Sequence, residues 1–240
     1  MKAVIMAGGR GQRLRPLTDV IPKPLLPLDG VPMVEILIRQ LKSQGFDDLV
    51  LTVGYRADLL RTYLGGGEAF GARITYIEET EPRGTAGSLS QLSADQPLLV
   101  VNGDILTTAG FCDIVAKHEE YGAALTLVSY PSEIPVDFGV LHTEGERVLR
   151  VEEKPRLPAL VSTGIYVLSP DALAMVPDGR YDMTDLIERL IAEGRRVCHY
   201  PLSGVWIDVG RMEDFRRAQK LFAADKGRFL PSPSKVKRKE

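Results

Sequence analysis

The stretch Met6-Ala7-Gly8-Gly9-Arg10-Gly11-Gln12-Arg13-Leu14-Arg15-Pro16-Leu17-Thr18 follows directly on an apolar run at residues 3–6. Three glycines within four positions let backbone amides approach phosphate oxygens with no side chain in the way. Arg13 and Arg15 add guanidinium forks that suit phosphate. The dinucleotide fingerprint does not fit, because Gly9-x-Gly11 is followed by Leu14 where a third glycine is required. The Walker phosphate loop fails as well, since no Gly-Lys-Ser/Thr closes the turn. A nicotinamide-dependent dehydrogenase is thus supported by the glycine turn alone.

Outward from this turn, short runs rich in Val, Ile or Leu recur at residues 49–53, 98–101 and 123–128. Such continuous apolar runs read as strands covered on both faces. Between them lie segments of helical period. Met33, Ile36, Leu37 and Leu41 predict one helix ending near Gly45, and Ala57, Leu60 and Leu64 another, stopped by Gly65-Gly66-Gly67. Ile114, Val115 and His118 lie in a third. Alternating strands and helices imply βαβ units around a mainly parallel, Rossmann-like sheet. After about Tyr130 the texture changes. Residues 138–142, 148–152 and 161–168 are strand-like, with turns at 144–145 and 155–158, and read as a smaller inserted sheet. A helix is expected over 182–193, strands at 197–201 and 205–209, and a closing helix at 212–223. The expected organisation is one α/β domain over 1–225, its first part to about 130 and an inserted-sheet part over 131–225.

The chain has 240 residues, with 30 Lys+Arg against 32 Asp+Glu and a net charge of -2. That balance argues against a dedicated nucleic-acid surface. No apolar run reaches the roughly 20 residues that span a bilayer, and the first run is too short for a signal-peptide core. Cys112 and Cys198 have no metal-ligand spacing, so a reduced, cytoplasmic setting is expected. Residues 226–240 hold six Lys+Arg and one Glu and read as a basic, flexible tail.

The block Pro22-Lys23-Pro24 places a lysine on stiff backbone, which restricts its ammonium and suits it to holding a triphosphate or departing pyrophosphate. The alternative is a solvated lysine on a turn. With Gly8-Gly9-x-Gly11-x-Arg13-Leu14-x-Pro16-Leu17-Thr18, it resembles the signature of the sugar-1-phosphate nucleotidyltransferases, or nucleoside-diphosphate-sugar pyrophosphorylases. The resemblance continues in order through Gly84-Thr85-Ala86-Gly87, Val101-Asn102-Gly103-Asp104, Phe138-Gly139-Val140, Glu152-Glu153-Lys154-Pro155, Ser162-Thr163-Gly164 and Trp206-Ile207-Asp208. It covers about residues 1–220.

This resemblance implies transfer of a nucleotidyl group from a nucleoside triphosphate to a sugar 1-phosphate. Bringing two anions together calls for cations and a divalent metal. Asp104, at the end of an apolar strand, and Asp208 are the expected Mg²⁺ ligands, with structural capping as the ordinary alternative for each. Arg13 and Lys23 join them as catalytic candidates. Ala7, Gly8, Gly9, Gly11, Glu81, Gly84, Thr85 and Asn102 are the implied nucleotide contacts. Lys154 is expected to hold the sugar phosphate and Glu153 its hydroxyls, with Gly139, Thr163 and Gly164 placed in that pocket by resemblance. Trp206 is either a pocket wall or core.

The loop Glu81-Pro82-Arg83-Gly84-Thr85-Ala86-Gly87 looks most like that of guanylyltransferases for mannose 1-phosphate and related heptose phosphates, so GTP is the expected nucleotide. The family pattern typically carries leucine where Arg83 stands. No hexapeptide-repeat domain accompanies the chain, which favours the short members. Thymidylyl-, uridylyl- or cytidylyltransferase chemistry, or a catalytically silent subunit, are the competing readings, and a homo-oligomer is compatible with all of them.

Overall fold

The computed structural model describes residues 1–231. The first part runs β1 (Lys2–Met6), α1 (Leu17–Val20), β2 (Pro27–Leu28), β3 (Val31–Pro32), α2 (Met33–Ser43), β4 (Asp48–Val53), α3 (Ala57–Leu64) and β5 (Arg73–Glu78). β6 (Leu98–Asn102), β7 (Ile105–Thr107), α4 (Phe111–Tyr121) and β8 (Leu125–Pro135) follow. Then come β9 (Val140–Glu144), β10 (Arg147–Glu152), β11 (Arg156–Leu168), α5 (Pro170–Ala174) and α6 (Met183–Ala192). The chain closes through β12 (Val197–Pro201), β13 (Trp206–Asp208), α7 (Met212–Ala224) and α8 (Lys226–Phe229).

Seven strands form one mixed sheet in the order β12-β8-β11-β6-β1-β4-β5. β1 pairs in parallel with β4 and β6, and β4 with β5, whereas β11 is antiparallel to both β6 and β8. The continuous apolar runs are the central strands: Ala3, Val4 and Ile5 of β1 are fully buried, as are Leu99, Val100 and Val101 of β6. One face packs on α2, α3 and α4 through Leu37, Leu41, Leu60 and Ile114. The other packs on α5 and α6 through Leu173, Leu186 and Leu190. α6 starts on a capping box in which Asp182 and Asp185 satisfy each other's backbone amides.

A third core lies under the loops at the carboxyl ends of the strands. Leu14 of the glycine-rich stretch meets Leu106, Ile207 and Val209 there, together with Phe222 and Phe229 from the end of the chain. Gln40 is buried and donates from Nε2 to the carbonyls of both Thr107 and Phe229, each at 2.8 Å. The basic stretch expected to be flexible from residue 226 therefore begins as a packed turn, with Phe229 2% exposed. An apolar side chain this large overrides the charges around it. Residues 232–240, which hold most of that basic charge, lie outside the described residues.

The inserted sheet reduces to the antiparallel hairpin β9–β10, carried on a ribbon made by β8 and β11. The turn expected at 155–158 is instead the start of β11, because residues 156–162 find strand partners in residues 129–135. Among the described residues no helix is long and apolar enough to cross a membrane.

Candidate active site

β7 and β13 form a two-stranded antiparallel ladder in which Asp208 pairs with Ile105 and Ile207 with Leu106. The Val209 amide donates to the Asp104 carbonyl at 3.1 Å. That register sets Asp104 and Asp208, 104 positions apart in sequence, side by side at the carboxyl edge of the sheet, where open α/β sheets place their ligands. Lys23 lies between them. Its Nζ donates to Asp104 Oδ2 and stands 3.9 Å from Asp208 Oδ1. The lysine side chain is 11% exposed, so its charge is largely withdrawn from water and directed at the two carboxylates.

Burial pushes the Asp208 carboxyl above the ordinary aspartate range, and the Asp104 charge pushes it the same way, while Lys23 and Arg13 pull it back. The Arg13 guanidinium and the Asp208 carboxylate both border Gly210, 3.6 and 3.2 Å from where a Cβ on that residue would stand. Arg13, Lys23, Asp104 and Asp208 are therefore brought together from four separate segments.

The glycine-rich turn folds over this cluster. Gly11 has φ +61°, and a Cβ there would meet Thr18 Cγ2 at 3.0 Å and Lys23 Cβ at 3.2 Å. Thr18 Oγ1 donates to the Gly11 carbonyl at 2.9 Å. The backbone turn and the lysine are packed as one unit that only glycine permits.

A cleft of about 510 Å³ opens beside the cluster. Gly8, Gly9, Glu81, Gly84, Thr85, Asn102 and Asp104, all singled out from the sequence, line it. Ala7 and Gly11 do not line it; Ala7 is buried, its amide donating to the Thr52 carbonyl at 2.9 Å. The structure adds Arg10, Tyr55, Glu79 and Ser88 to the lining. Glu79 is the informative addition. Ser88 Oγ donates to Glu79 Oε1 at 2.7 Å, and a Cβ on Gly8 would lie 2.8 Å from Oε2. A glycine at position 8 is what leaves room for that carboxylate.

The loop over residues 81–87 is held from behind by the approach to α6. Ala86 and Gly87 amides donate to the Tyr181 carbonyl at 2.9 and 3.0 Å, and the Tyr181 amide donates to the Arg83 carbonyl at 2.9 Å. Thr85 donates from its amide and hydroxyl to Asp182 Oδ1, and its Oγ1 accepts from the Met183 amide at 2.8 Å. Its hydroxyl is thus committed to the loop's own support. Arg83 pairs with Asp178 at 2.7 Å.

On the other side, Thr163 is buried and its hydroxyl donates to the Val128 carbonyl at 2.9 Å. Trp206 Nε1 donates to the Thr163 carbonyl at 2.9 Å, and the indole packs at 5.5 Å against the Tyr130 ring. Gly164 lies against the Asn102 amide, and Gly139 against the Glu153 carboxylate. Glu153 and Lys154 are exposed at the foot of the hairpin, Lys154 with φ 46°. Neither is in ion-pair contact with the aspartates among the described residues.

Residues 2–225 match the family model described as nucleotidyl transferase. The chain belongs to that family. Among relatives, the chain is 31% identical over 241 residues to a UTP–glucose-1-phosphate uridylyltransferase of Synechocystis, covering 91% of this chain and 62% of the relative. It is 32% identical over 241 residues to a mannose-1-phosphate guanyltransferase of Yarrowia lipolytica, covering 96% and 66%. The chain thus spans just under two thirds of the length of these curated relatives. A putative glucose-1-phosphate thymidylyltransferase from Bacillus anthracis superposes with a TM-score of 0.75 at 26% identity, covering 92% of this chain and 94% of that one. HddC from Yersinia pseudotuberculosis, solved with GMP-PN, shares the fold with a TM-score of 0.73 at 23% identity, over 92% and 99% of the two chains.

Proposed function

We propose that this nucleotidyl transferase joins a nucleoside triphosphate, GTP by preference, to a sugar 1-phosphate, giving a nucleotide sugar and pyrophosphate. The observation that carries the reading is the Lys23–Asp104–Asp208 cluster at the mouth of a cleft roofed by the glycine-rich turn. A phosphate oxygen is already the nucleophile, so the site needs no general base. It needs to hold two anions together and to neutralise the charge that develops on the leaving pyrophosphate. Arg13 and Lys23 serve the triphosphate, and Lys154, with Glu153, serves the sugar phosphate.

The donor set fits Mg²⁺. Two carboxylates, Asp104 just ahead of β7 and Asp208 at the end of its partner strand β13, offer hard oxygen ligands, and among the described residues no group of three or more His, Cys, Asp or Glu suited to a metal is found. Mg²⁺ keeps several waters and takes its remaining ligands from substrate phosphates, so two protein carboxylates suffice. When bound at Asp104 and Asp208 it would supply positive charge to the reacting phosphate.

Preference for GTP rests on Glu79. Guanine carries two adjacent N–H donors, at N1 and N2, on its pairing edge. A carboxylate accepts both at once, whereas uracil and thymine offer a single donor between two acceptors. Ser88 orients the Glu79 carboxylate toward the cleft. Competition between GTP, UTP, CTP and dTTP at equal concentration, with the products separated by chromatography, is expected to give the guanosine nucleotide sugar as the main product. Glu79→Gln places an amide against those donors and is expected to reduce the preference about tenfold or more, in keeping with roughly 1–3 kcal/mol for an unpaired buried polar group. A pyrimidine nucleotide sugar as the main product of the wild type rules out the guanylyl reading and leaves the transferase reading standing.

The Arg83–Asp178 pair is exposed on the Asp178 side, so water and salt screen it and it contributes little. Arg83→Leu is expected to raise the KM for GTP only about twofold, with the difference vanishing at high salt as screening removes the wild-type pair. A large change in the sugar-phosphate KM is the result this assignment forbids.

A further inference from the structure

Charge is unevenly placed along this chain. Residues 211–240 hold ten Lys+Arg against four Asp+Glu, whereas the 210 residues before them hold 20 against 28. The described part of this basic end is α7 with the turn α8. Phe215, Ala218 and Phe222 of α7 are buried in the third core, so the helix turns its opposite face to water. Arg216 and Arg217 stand four and three positions before Lys220, which puts the three cations on one side of the helix, and all three are exposed.

A shallow groove of about 580 Å³ runs over this face, bordered by Glu213, Arg216, Arg217, Lys220 and Leu221. None of these residues lines the cleft beside Asp104. Leu221 is half-buried against the third core and gives the groove an aliphatic patch. The methylene stems of the long cations extend that patch while their charged ends reach water. Lys226 is neutralised by Asp29 at 2.7 Å, but among the described residues Arg216, Arg217, Lys220 and Arg228 are in no ion pair. Glu213 is the single acid at the groove. Lys235, Lys237, Arg238 and Lys239 follow in sequence, outside the described residues.

We propose that the exposed face of α7, with the basic residues that follow it, docks the enzyme on an anionic phospholipid surface. Clusters of about 4–8 Lys or Arg are what holds a protein at anionic lipid. Arg216, Arg217, Lys220 and Arg228 supply four, and the stretch over 235–239 supplies four more. A phospholipid matches both parts of the groove. Its phosphate suits the guanidinium forks of Arg216 and Arg217, and its glycerol and upper acyl carbons suit Leu221 and the aliphatic stems. A nucleic acid would meet the same charges, but binding single strands draws on exposed aromatic rings for base stacking. The aromatic side chains of α7 and α8, Phe215, Phe222 and Phe229, are all buried. Because the docking face is separate from the cleft, it sets where the enzyme works and leaves its chemistry alone.

Flotation of the full chain with vesicles of phosphatidylcholine containing about one third phosphatidylglycerol tests the surface separately from the activity. Wild type is expected to float with these vesicles at low salt and to leave them as ionic strength rises. It is expected to ignore vesicles of phosphatidylcholine alone. Arg216→Ala, Arg217→Ala and Lys220→Ala combined are expected to lower the partition coefficient at least about tenfold, with kcat and both KM values unchanged. Alanine favours helix at exposed positions, so the circular dichroism spectrum is expected to stay as it is. Should that variant fail to fold, Lys235→Gln, Lys237→Gln, Arg238→Gln and Lys239→Gln combined remove charge from the other end of the cluster and are expected to weaken binding measurably. Arg147→Ala, on the β9–β10 hairpin, is expected to bind as wild type does. Absence of binding to the anionic vesicles at low salt, equal binding to neutral ones, or tighter binding to a short RNA than to anionic vesicles overturns the proposal. So does wild-type flotation by the α7 variant.

Discussion

Asp104→Asn and Asp208→Asn are each expected to lower turnover at least about a hundredfold at saturating Mg²⁺, with the fold intact. The β7–β13 register gives the reason: both carboxylates stand at one point, and each variant removes half of the anionic charge available there. Loss of metal charge at a phosphoryl group costs several kcal/mol of transition-state stabilisation, and each 1.36 kcal/mol is tenfold in rate. The Asp208 variant carries a second, opposite expectation. Burial and the Asp104 charge raise its carboxyl above the ordinary value, so the native state holds that proton to higher pH than the unfolded chain does. Stability from this group accordingly falls as pH rises through that interval, and at neutral pH the ionised carboxylate is a net cost. Asp208→Asn is therefore expected to melt no lower than wild type at neutral pH while losing its activity. Scanning calorimetry beside steady-state kinetics reads both. Near-normal turnover in either purified variant removes that residue from the catalytic assignment.

Lys23→Ala is expected to reduce turnover to a similar extent but with the opposite sign for stability. Its ammonium is the charge that stands between the two carboxylates, and it is nearly buried. Removing it leaves two like charges facing each other without a counterion. A fully buried pair broken in this way loses about 3–5 kcal/mol; with Asp208 half-exposed, a cost of about 1–2 kcal/mol is expected. That deficit is expected to shrink in acid, where the carboxylates take up protons and repulsion ends. Lys154→Ala provides the contrast. It lies at the foot of the hairpin, so it is expected to raise the KM for sugar 1-phosphate and leave the KM for GTP near the wild-type value. Kinetics with each substrate varied in turn separates the two lysines, and a Lys154→Ala enzyme altered only in GTP affinity overturns the division of labour.

The parts of the fold that were legible in the sequence are those where one physical signal dominates. β1, β4 and β6 are continuous apolar runs because both faces are covered, and α2 and α6 carry apolar stripes at helical spacing. β5 is an edge strand with only Ile74 fully buried, and its mixed residues give no run to read. β7 has three residues and makes sense only beside β13, yet it is the pairing that joins Asp104 to Asp208. Asp104 and Asp208 were legible as candidates through their motifs; their adjacency was not, since it depends on contacts across about a hundred residues. Glu79 escaped notice for a related reason. It stands two residues ahead of the loop that was read, and only the close approach to Gly8 and the bond from Ser88 give it meaning. Alternation around Gly8 could have hinted at a neighbour needing space, but not at which one. The start of β11 was hidden by Pro155 and Pro158, which read as a turn until the pairing of residues 156–162 with 129–135 is known.

The bond from Gln40 to the Phe229 carbonyl spans 189 positions. At roughly 5–20 residues per second, a ribosome makes Phe229 about 10–40 s after Gln40. Through that interval β1, α2 and β4 are able to assemble, since their partners are near in sequence, but the floor beneath Leu14, Leu106 and Ile207 lacks its last two phenyl rings. The nascent chain therefore carries its glycine-rich turn long before the core beneath it is complete. That foundation is complete only once residue 229 has been made, and a chain cut short upstream of it carries the glycine-rich signature without its support.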